Sequence, residues 1–207
     1  MYQGDYRNQY SEVEDRQFLS SPIVSQIEPV YFISEVESYF LQAEACELGW
    51  GTEDDKGLYE LAIDTHFERL GAGSGIGIYE TGANAYAKYP LPDGVAQEEN
   101  LEAIIFQKWI AMTNTQGMES FFEHNRTGYP RESTIKPGDL NYPTGLTSGE
   151  FTVSVTGVLS PPVVFPKRLL YPSSEQSTNP NTPAVVPLNV PVWWDARGDY
   201  QSIYTKK

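Results

Sequence analysis

At Ser34 the chain passes from an irregular polar lead-in to an apolar repeat of three to four residues. Residues 1–30 mix Tyr, Gln and acids without a period and read as extended. Ser34-Glu35-Val36-Glu37 has the form of a capping box, the hydroxyl taking a free backbone N–H while Glu37 reaches back. Val36, Tyr39, Phe40, Ala43 and Cys46 then recur at helical spacing, and Gly49 can supply a left-handed stop. A second helix is expected from the Thr52–Asp55 region, where Glu53, Asp54 and Asp55 complement the helix dipole. Leu58, Leu61, Ala62 and Thr65 form one stripe on it; Tyr59, Ile63, Phe67 and Leu70 form the next. A third helix, from Gln97 or Asn100 to Thr113, carries Leu101, Ile104, Ile105, Phe106, Trp109, Ile110 and Met112 nearly all round. That distribution makes it central and buries Trp109. A fourth helix places Met118, Phe121, Phe122 and Asn125 on one face and ends at Gly128.

The helical repeat then gives way to punctuation. Residues 71–97 form a Gly-rich connector bearing Tyr79, Tyr86 and Tyr89, and connectors of that length are often functional. After Pro130 the chain is loop-rich; Phe151 to Val158 alternates with period two, as a strand does, and Val163–Phe165 is its candidate partner. Prolines at 172, 180, 183, 187 and 191 exclude long helices beyond, and the Pro-bounded Ser173–Asn179 run reads as a turn bonding its own backbone. Ala45-x-x-x-Gly49 and Tyr59-x-x-Ala62-Ile63 put small residues where two helices must approach, as in a tetratricopeptide hairpin. No second copy follows about 34 residues on, and one repeat cannot bury its own faces. The predicted fold class is mostly α: tetratricopeptide-like helical hairpins with a loop-rich C-terminal part and a little β. The expected organisation is a single unit over 1–207, with a hairpin at 31–70, the Gly/Tyr loop at 71–97, a helical pair at 98–128 and a loop-rich segment at 129–207.

Charge narrows the partners. Asp plus Glu number 28 against 14 Lys plus Arg, a net of −14, so phosphate backbones and anionic lipid are repelled and no nucleic acid partner is expected. The one cysteine, Cys46, lies in the first helical stripe, which excludes an internal disulfide and a lipid-accepting role at a mature N-terminus. No run approaches the roughly 18 apolar residues that span a bilayer. The polar, acidic first 20 residues are not a signal peptide.

Candidate chemistry is sparse. His66 and His124, the two histidines, have no Cys or His at zinc spacing, so no metal set is formed. Glu53-Asp54-Asp55 and Glu98-Glu99 precede helices, where the dipole accounts for them. A glycosidase needs two carboxylates roughly 5–10 Å apart across a cleft, and no local pattern marks such a pair. Ser173 and Ser174 lack a nucleophile elbow. The Gly71–Gly77 run follows a helix and not a strand, so no cofactor loop is read there. Asn125-Arg126-Thr127 matches a glycosylation sequon but falls at a helix end. Arg126 and Arg168 stand out among few cations and suit planar pairing with a carboxylate or a carbonyl-rich loop, a structural clamp in each case. Trp193 and Trp194 fit two roles, stacking on a sugar face or plugging the helices. Tyr79, Tyr86 and Tyr89 suit ligand contact on a long loop, or pinning that loop to the helices.

The ordered set Gln107-Lys108-Trp109-Ile110-Ala111, Gln116-Gly117, Arg126-Thr127-Gly128-Tyr129-Pro130, Arg168 to Pro180 and Val192-Trp193-Trp194-Asp195 resembles the C-terminal half of the SusD/RagB-like nutrient-binding outer-membrane lipoproteins of Bacteroidetes. The resemblance spans roughly residues 31–195 and includes Ser34 to Ala45 and Ala62-Ile63 on the hairpin. It implies a non-enzymatic protein, lipid-anchored at the cell surface of the outer membrane. Such a protein captures glycan or another nutrient and works with a SusC-like TonB-dependent transporter. The family's lipid-accepting cysteine and N-terminal hairpins have no counterpart here, so the chain reads as a C-terminal part of a larger domain. The competing readings are a glycoside hydrolase using a carboxylate pair and a helical-repeat scaffold binding only protein.

Overall fold

The computed structural model describes residues 29–73, 97–135, 140, 150, 153 and 165–195. Five helices run through them: α1 Glu35–Glu47, α2 Asp55–Arg69, α3 Gln97–Ala111, α4 Gly117–Thr127 and α5 Ser173–Thr178. The first four belong to one compact unit and α5 to a second. The architecture is mostly α, with helical hairpin packing and loop-rich parts; β structure among the described residues is limited to an isolated bridge at Glu132. The lead-in 1–28, most of the Gly/Tyr connector with its three tyrosines, and nearly all of the expected strand at 151–158 lie outside the described residues.

In the helical unit, α1 starts where its sequence predicts. The Ser34 hydroxyl accepts from the Glu37 backbone N–H at 3.1 Å. Only half of the capping box forms, because the Glu37 carboxylate accepts instead from Gln116 Nε2 at 2.5 Å and is buried there. A long-range partner outcompetes the local one. Helix α1 ends at Glu47 with Leu48 as its C-cap, and Gly49 follows with φ +75°. Gly49 N–H donates to the Cys46 carbonyl and Trp50 N–H to the Ala45 carbonyl, both at 2.8 Å, the paired bonds of a Schellman motif. Gly71 repeats the device after α2, with φ +69° and bonds from Gly71 to Glu68 and from Ala72 to Phe67. Helix α2 begins later than its acids suggest. Only Asp55 lies in its first turn, while Glu53 turns back to accept from Thr52 N–H and Cys46 Sγ.

Helix α1 packs chiefly on α2 and next on α3; α3 also touches α2 and α4. The main core joins Val36, Phe40 and Ala43 of α1 with Tyr59, Ala62 and Ile63 of α2 and Ile104 and Ala111 of α3. Small Ala43 and Ala62, both at zero exposure, allow the close approach that a helical hairpin needs. A smaller cluster joins Leu101, Ile105 and Tyr129, with Leu48 against it. Not every apolar position of the stripes is used: Leu61 and Leu70 of the α2 stripes are exposed.

Two expectations for the later helices need correcting. Helix α3 does sit in the core, yet its buried face includes Asn100, Gln107 and Lys108, while Phe106, Trp109 and Ile110 are only half-buried. Trp109 stacks on Phe106, centroids 6.4 Å apart, and is not the buried centre. Helix α4 buries His124, Asn125 and Thr127, whereas Met118 of its expected apolar face is exposed. On α3, Lys108 is buried with Glu123 of α4 as its ion-pair partner, and Asn100 donates to the Glu47 carboxylate of α1. Gly128, φ +79°, ends α4 as expected, and Asn125 at zero exposure leaves its sequon inaccessible.

Candidate functional site

Arg126 lies between two carboxylates. Its Nη1 and Nη2 donate to Glu44 of α1 at 2.7 and 3.0 Å. Its Nε and a second bond from Nη2 go to Glu123, one turn back on α4, at 3.0 and 2.9 Å. Lys108 Nζ of α3 adds a contact to Glu123 at 3.2 Å, with its own side chain only 3% exposed. Two cations thus balance two anions, and the charges tie three helices together. Burial works to raise the Glu123 carboxyl, but Lys108 and Arg126 together hold it below the ordinary carboxylate value. The same carboxylates push the Arg126 guanidinium up, against its burial. The Glu123–Arg126 spacing is visible as a helical i,i+3 pair; Glu44 and Lys108 carry no mark in the sequence that assigns them to this site.

Nearby polar tethers fix the start of α1. Gln116 Nε2 reaches both Glu37 and the Phe32 carbonyl, and the Arg69 guanidinium sits 5.5 Å from the Tyr31 ring while its Nη2 donates to the Ala111 carbonyl at 2.8 Å. Tyr129, at the end of α4, donates through its hydroxyl to Glu98 in the first turn of α3.

The two histidines are far from any ligand set. Among the described residues no group of three His, Cys, Asp or Glu side chains is placed to hold a metal ion. His124 is buried in the polar face of α4. Burial, with Arg69 beside it, lowers the His66 pKa from 6.5 to about 4, so the folded ring is neutral at pH 7. The sign follows: between about 4 and 6.5 the unfolded chain binds a proton that the folded one does not. The stability this group contributes is complete above about 6.5 and falls as pH drops towards 4. The melting temperature should therefore decline between pH 7 and 5, and His66→Gln should flatten that part of the profile. A profile unchanged by the substitution rules His66 out as the cause.

The second unit is built differently. Lys167 N–H donates to the Leu188 carbonyl at 2.8 Å, and the Arg168 guanidinium donates to the Val190 and Pro191 carbonyls at 2.9 and 3.1 Å. Arg168 thus meets a carbonyl-rich loop. The Ser173–Asn179 run closes into the short helix α5 and not a simple turn, stopped at Asn179 before Pro180. Polar side chains in and after it bond locally: Gln176 to the Tyr171 carbonyl at 2.6 Å, Asn179 to Glu175, and Thr182 to the Glu175 and Asn179 carbonyls. Lys167 and Asp195 pair at 3.5 Å, joining the start and end of the described stretch. Trp193 is 94% exposed, and Trp194 beside it is half-buried. The structure brings Arg168 and the Trp193-Trp194 turn into one unit and places Arg126 in the other. Tyr79, Tyr86 and Tyr89 lie outside the described residues.

No described helix is long and apolar enough to cross a membrane. The chain has no match among curated proteins. Residues 1–143 match the SusD-like_2 family model, described as starch-binding and associating with the outer membrane. That span covers the whole α1–α4 framework and its ion network, and stops short of Arg168, Trp193 and Trp194. It exceeds half of the chain, and the family is one of binding and not catalytic proteins. The helical hairpin, its tethers and the matched span agree: the chain belongs to the SusD-like family of starch-binding, outer-membrane-associating proteins.

Proposed function

We propose that this chain captures oligosaccharide at the outer face of the outer membrane, without turning it over, and delivers it to a SusC-like TonB-dependent transporter. In this reading the full-length protein is held at the cell surface by a lipid anchor. The observation that carries the proposal is the family match over residues 1–143. The chemistry is consistent with it. Glu44 and Glu123 both accept from Arg126, and Lys108 and Arg126 hold Glu123 below the ordinary carboxylate value, so Glu123 does not suit the protonated acid of a glycosidase. Sugar is neutral, so its affinity must come from aromatic faces and hydrogen bonds. Trp193 offers an open indole face, with Trp194 adjacent, and Tyr79, Tyr86 and Tyr89 are the remaining candidate contacts. Arg126 and Arg168 serve as structural clamps in this scheme, one on carboxylates and one on carbonyls.

Titration with maltooligosaccharide, read by tryptophan fluorescence and calorimetry, tests the proposal. Saturable binding with no release of reducing sugar is expected. Trp193→Ala, or alanine at Tyr79, Tyr86 or Tyr89, should weaken binding several-fold with the melting temperature nearly unchanged. Release of reducing sugar would move the protein to the hydrolases; unchanged affinity in all of these variants would move the site elsewhere.

A further inference from the structure

Helix α4 is attached to the helical unit differently from the other three helices. Its buried side chains are His124, Asn125 and Thr127, all polar. Among the described residues, neither apolar cluster includes a side chain of α4. The smaller cluster takes in the chain again at Tyr129, just past the Gly128 stop. Gln116, the N-cap, fixes the other end through Glu37 and the Phe32 carbonyl. Between these anchors, the described side-chain bonds from α4 to other helices are ionic: Arg126 to Glu44 of α1, and Glu123 to Lys108 of α3. Such pairs give up hydration to form, so their net gain is well below their Coulomb attraction. One group works against closure. Asn125 has zero exposure, and neither its amide nitrogen nor its amide oxygen makes a hydrogen bond to the protein. A buried amide without a partner carries a desolvation cost that water would remove.

We infer that α4 is a strap, anchored at Gln116 and Tyr129, which lifts off and melts between those anchors while α1, α2 and α3 stay folded. A lifted strap does not remain helical: it has 11 residues, and isolated helices shorter than about 12–15 residues are marginal in water. Lifting returns both ion pairs to water and lets the Asn125 amide hydrogen-bond there. The body beneath keeps its main apolar core, since every member of it lies on α1, α2 or α3. Segments that open ahead of the whole fold are those with few buried apolar contacts. A helix with an aliphatic buried face would open only together with the core it belongs to. The surface that opening uncovers is polar, with Glu44 on α1 and Lys108 on α3. Opening of this kind needs neither sugar nor transporter.

Hydrogen exchange of the full chain at pH 7, read peptide by peptide by mass spectrometry, tests the strap. Backbone amides of residues 121–127 should be protected at least tenfold less than those in the buried turns of α1 and α2. Glu123→Gln removes the ion partner of buried Lys108. It should lower the protection of α4 at least a further tenfold and leave α1 and α2 within a factor of three. Asn125→Leu replaces the unpartnered amide with an apolar group of similar size, and should raise the protection of α4 at least threefold. Equal protection of α4, α1 and α2 in wild type overturns the inference, because α4 would then open only with the whole unit. Loss of protection by the same factor in all three helices of Glu123→Gln overturns it too. A Glu123→Gln chain that fails to fold also counts against it, since the charges would then support the whole unit. Unchanged or lower α4 protection in Asn125→Leu would show that the Asn125 amide is not what loosens the strap, and contradicts the inference as well.

Discussion

Arg126→Ala is expected to destabilise the helical unit by about 3–5 kcal/mol, the range for removing one partner of a buried ion pair. Glu44, whose side chain is 7% exposed, loses the two bonds it accepts from Arg126. Glu123 keeps Lys108 at 3.2 Å and is partly protected. Arg126→Lys retains the charge but cannot bond two carboxylates from one plane, so it should still lose about 1–3 kcal/mol of charge-assisted hydrogen bonding. Urea unfolding followed by helical circular dichroism measures both. Acid adds a second signature. Glu123 is depressed in the folded state, so its contribution is present above the ordinary carboxylate value of 4.5 and disappears as pH falls through the folded one. The Arg126→Ala variant, lacking one source of that depression, should lose less stability over this acid range than wild type. Wild-type stability in both variants, with sugar affinity alone reduced, would show Arg126 to be a ligand contact and not a clamp.

Part of the helical framework was legible because α1 carries its own start and stop and α4 its own stop. Ser34, Gly49 and Gly128 act within a turn of the residues they cap, and local bonds are written in adjacent sequence. The apolar stripes named Val36, Phe40, Tyr59, Ala62, Ile63 and Ile104 as core for the same reason. What could not be read was the choice among apolar positions. Helix α3 is apolar on almost every side, and periodicity gives no reason to bury Lys108 in place of Trp109. That choice was made by Glu123 and Arg126 on α4 and by Glu44, which is 82 residues from Arg126 in sequence. Glu37 shows the same limit: its spacing to Ser34 advertises a capping box, yet its carboxylate goes to Gln116. Of the ligand candidates, the Trp193 turn was picked out by residue type alone, with stacking and plugging left as alternatives; residue type carries no signal for the 94% exposure of Trp193.

Tyr59→Ala should be the most damaging substitution in the apolar core, at about 3–5 kcal/mol, as for a large aromatic removed from a fully buried site. Tyr59 has zero exposure and meets Phe40, 1% exposed, edge to face, with ring centroids 6.1 Å apart. The pair joins α1 to α2 at the packing contact of the hairpin, and a cavity there has few ways to collapse, since Ala43 and Ala62 already bring the helices close. Trp109→Ala is the informative comparison. A sequence-based reading ranks Trp109 first among core residues, but the half-buried ring lies against Phe106 at the edge of α3, so its removal should cost less than about 2 kcal/mol, a part of the burial value of a full side chain. Chemical denaturation of the two variants side by side decides between the rankings. A Trp109 variant less stable than the Tyr59 variant would place the core of this unit around α3 alone and not at the α1–α2 contact.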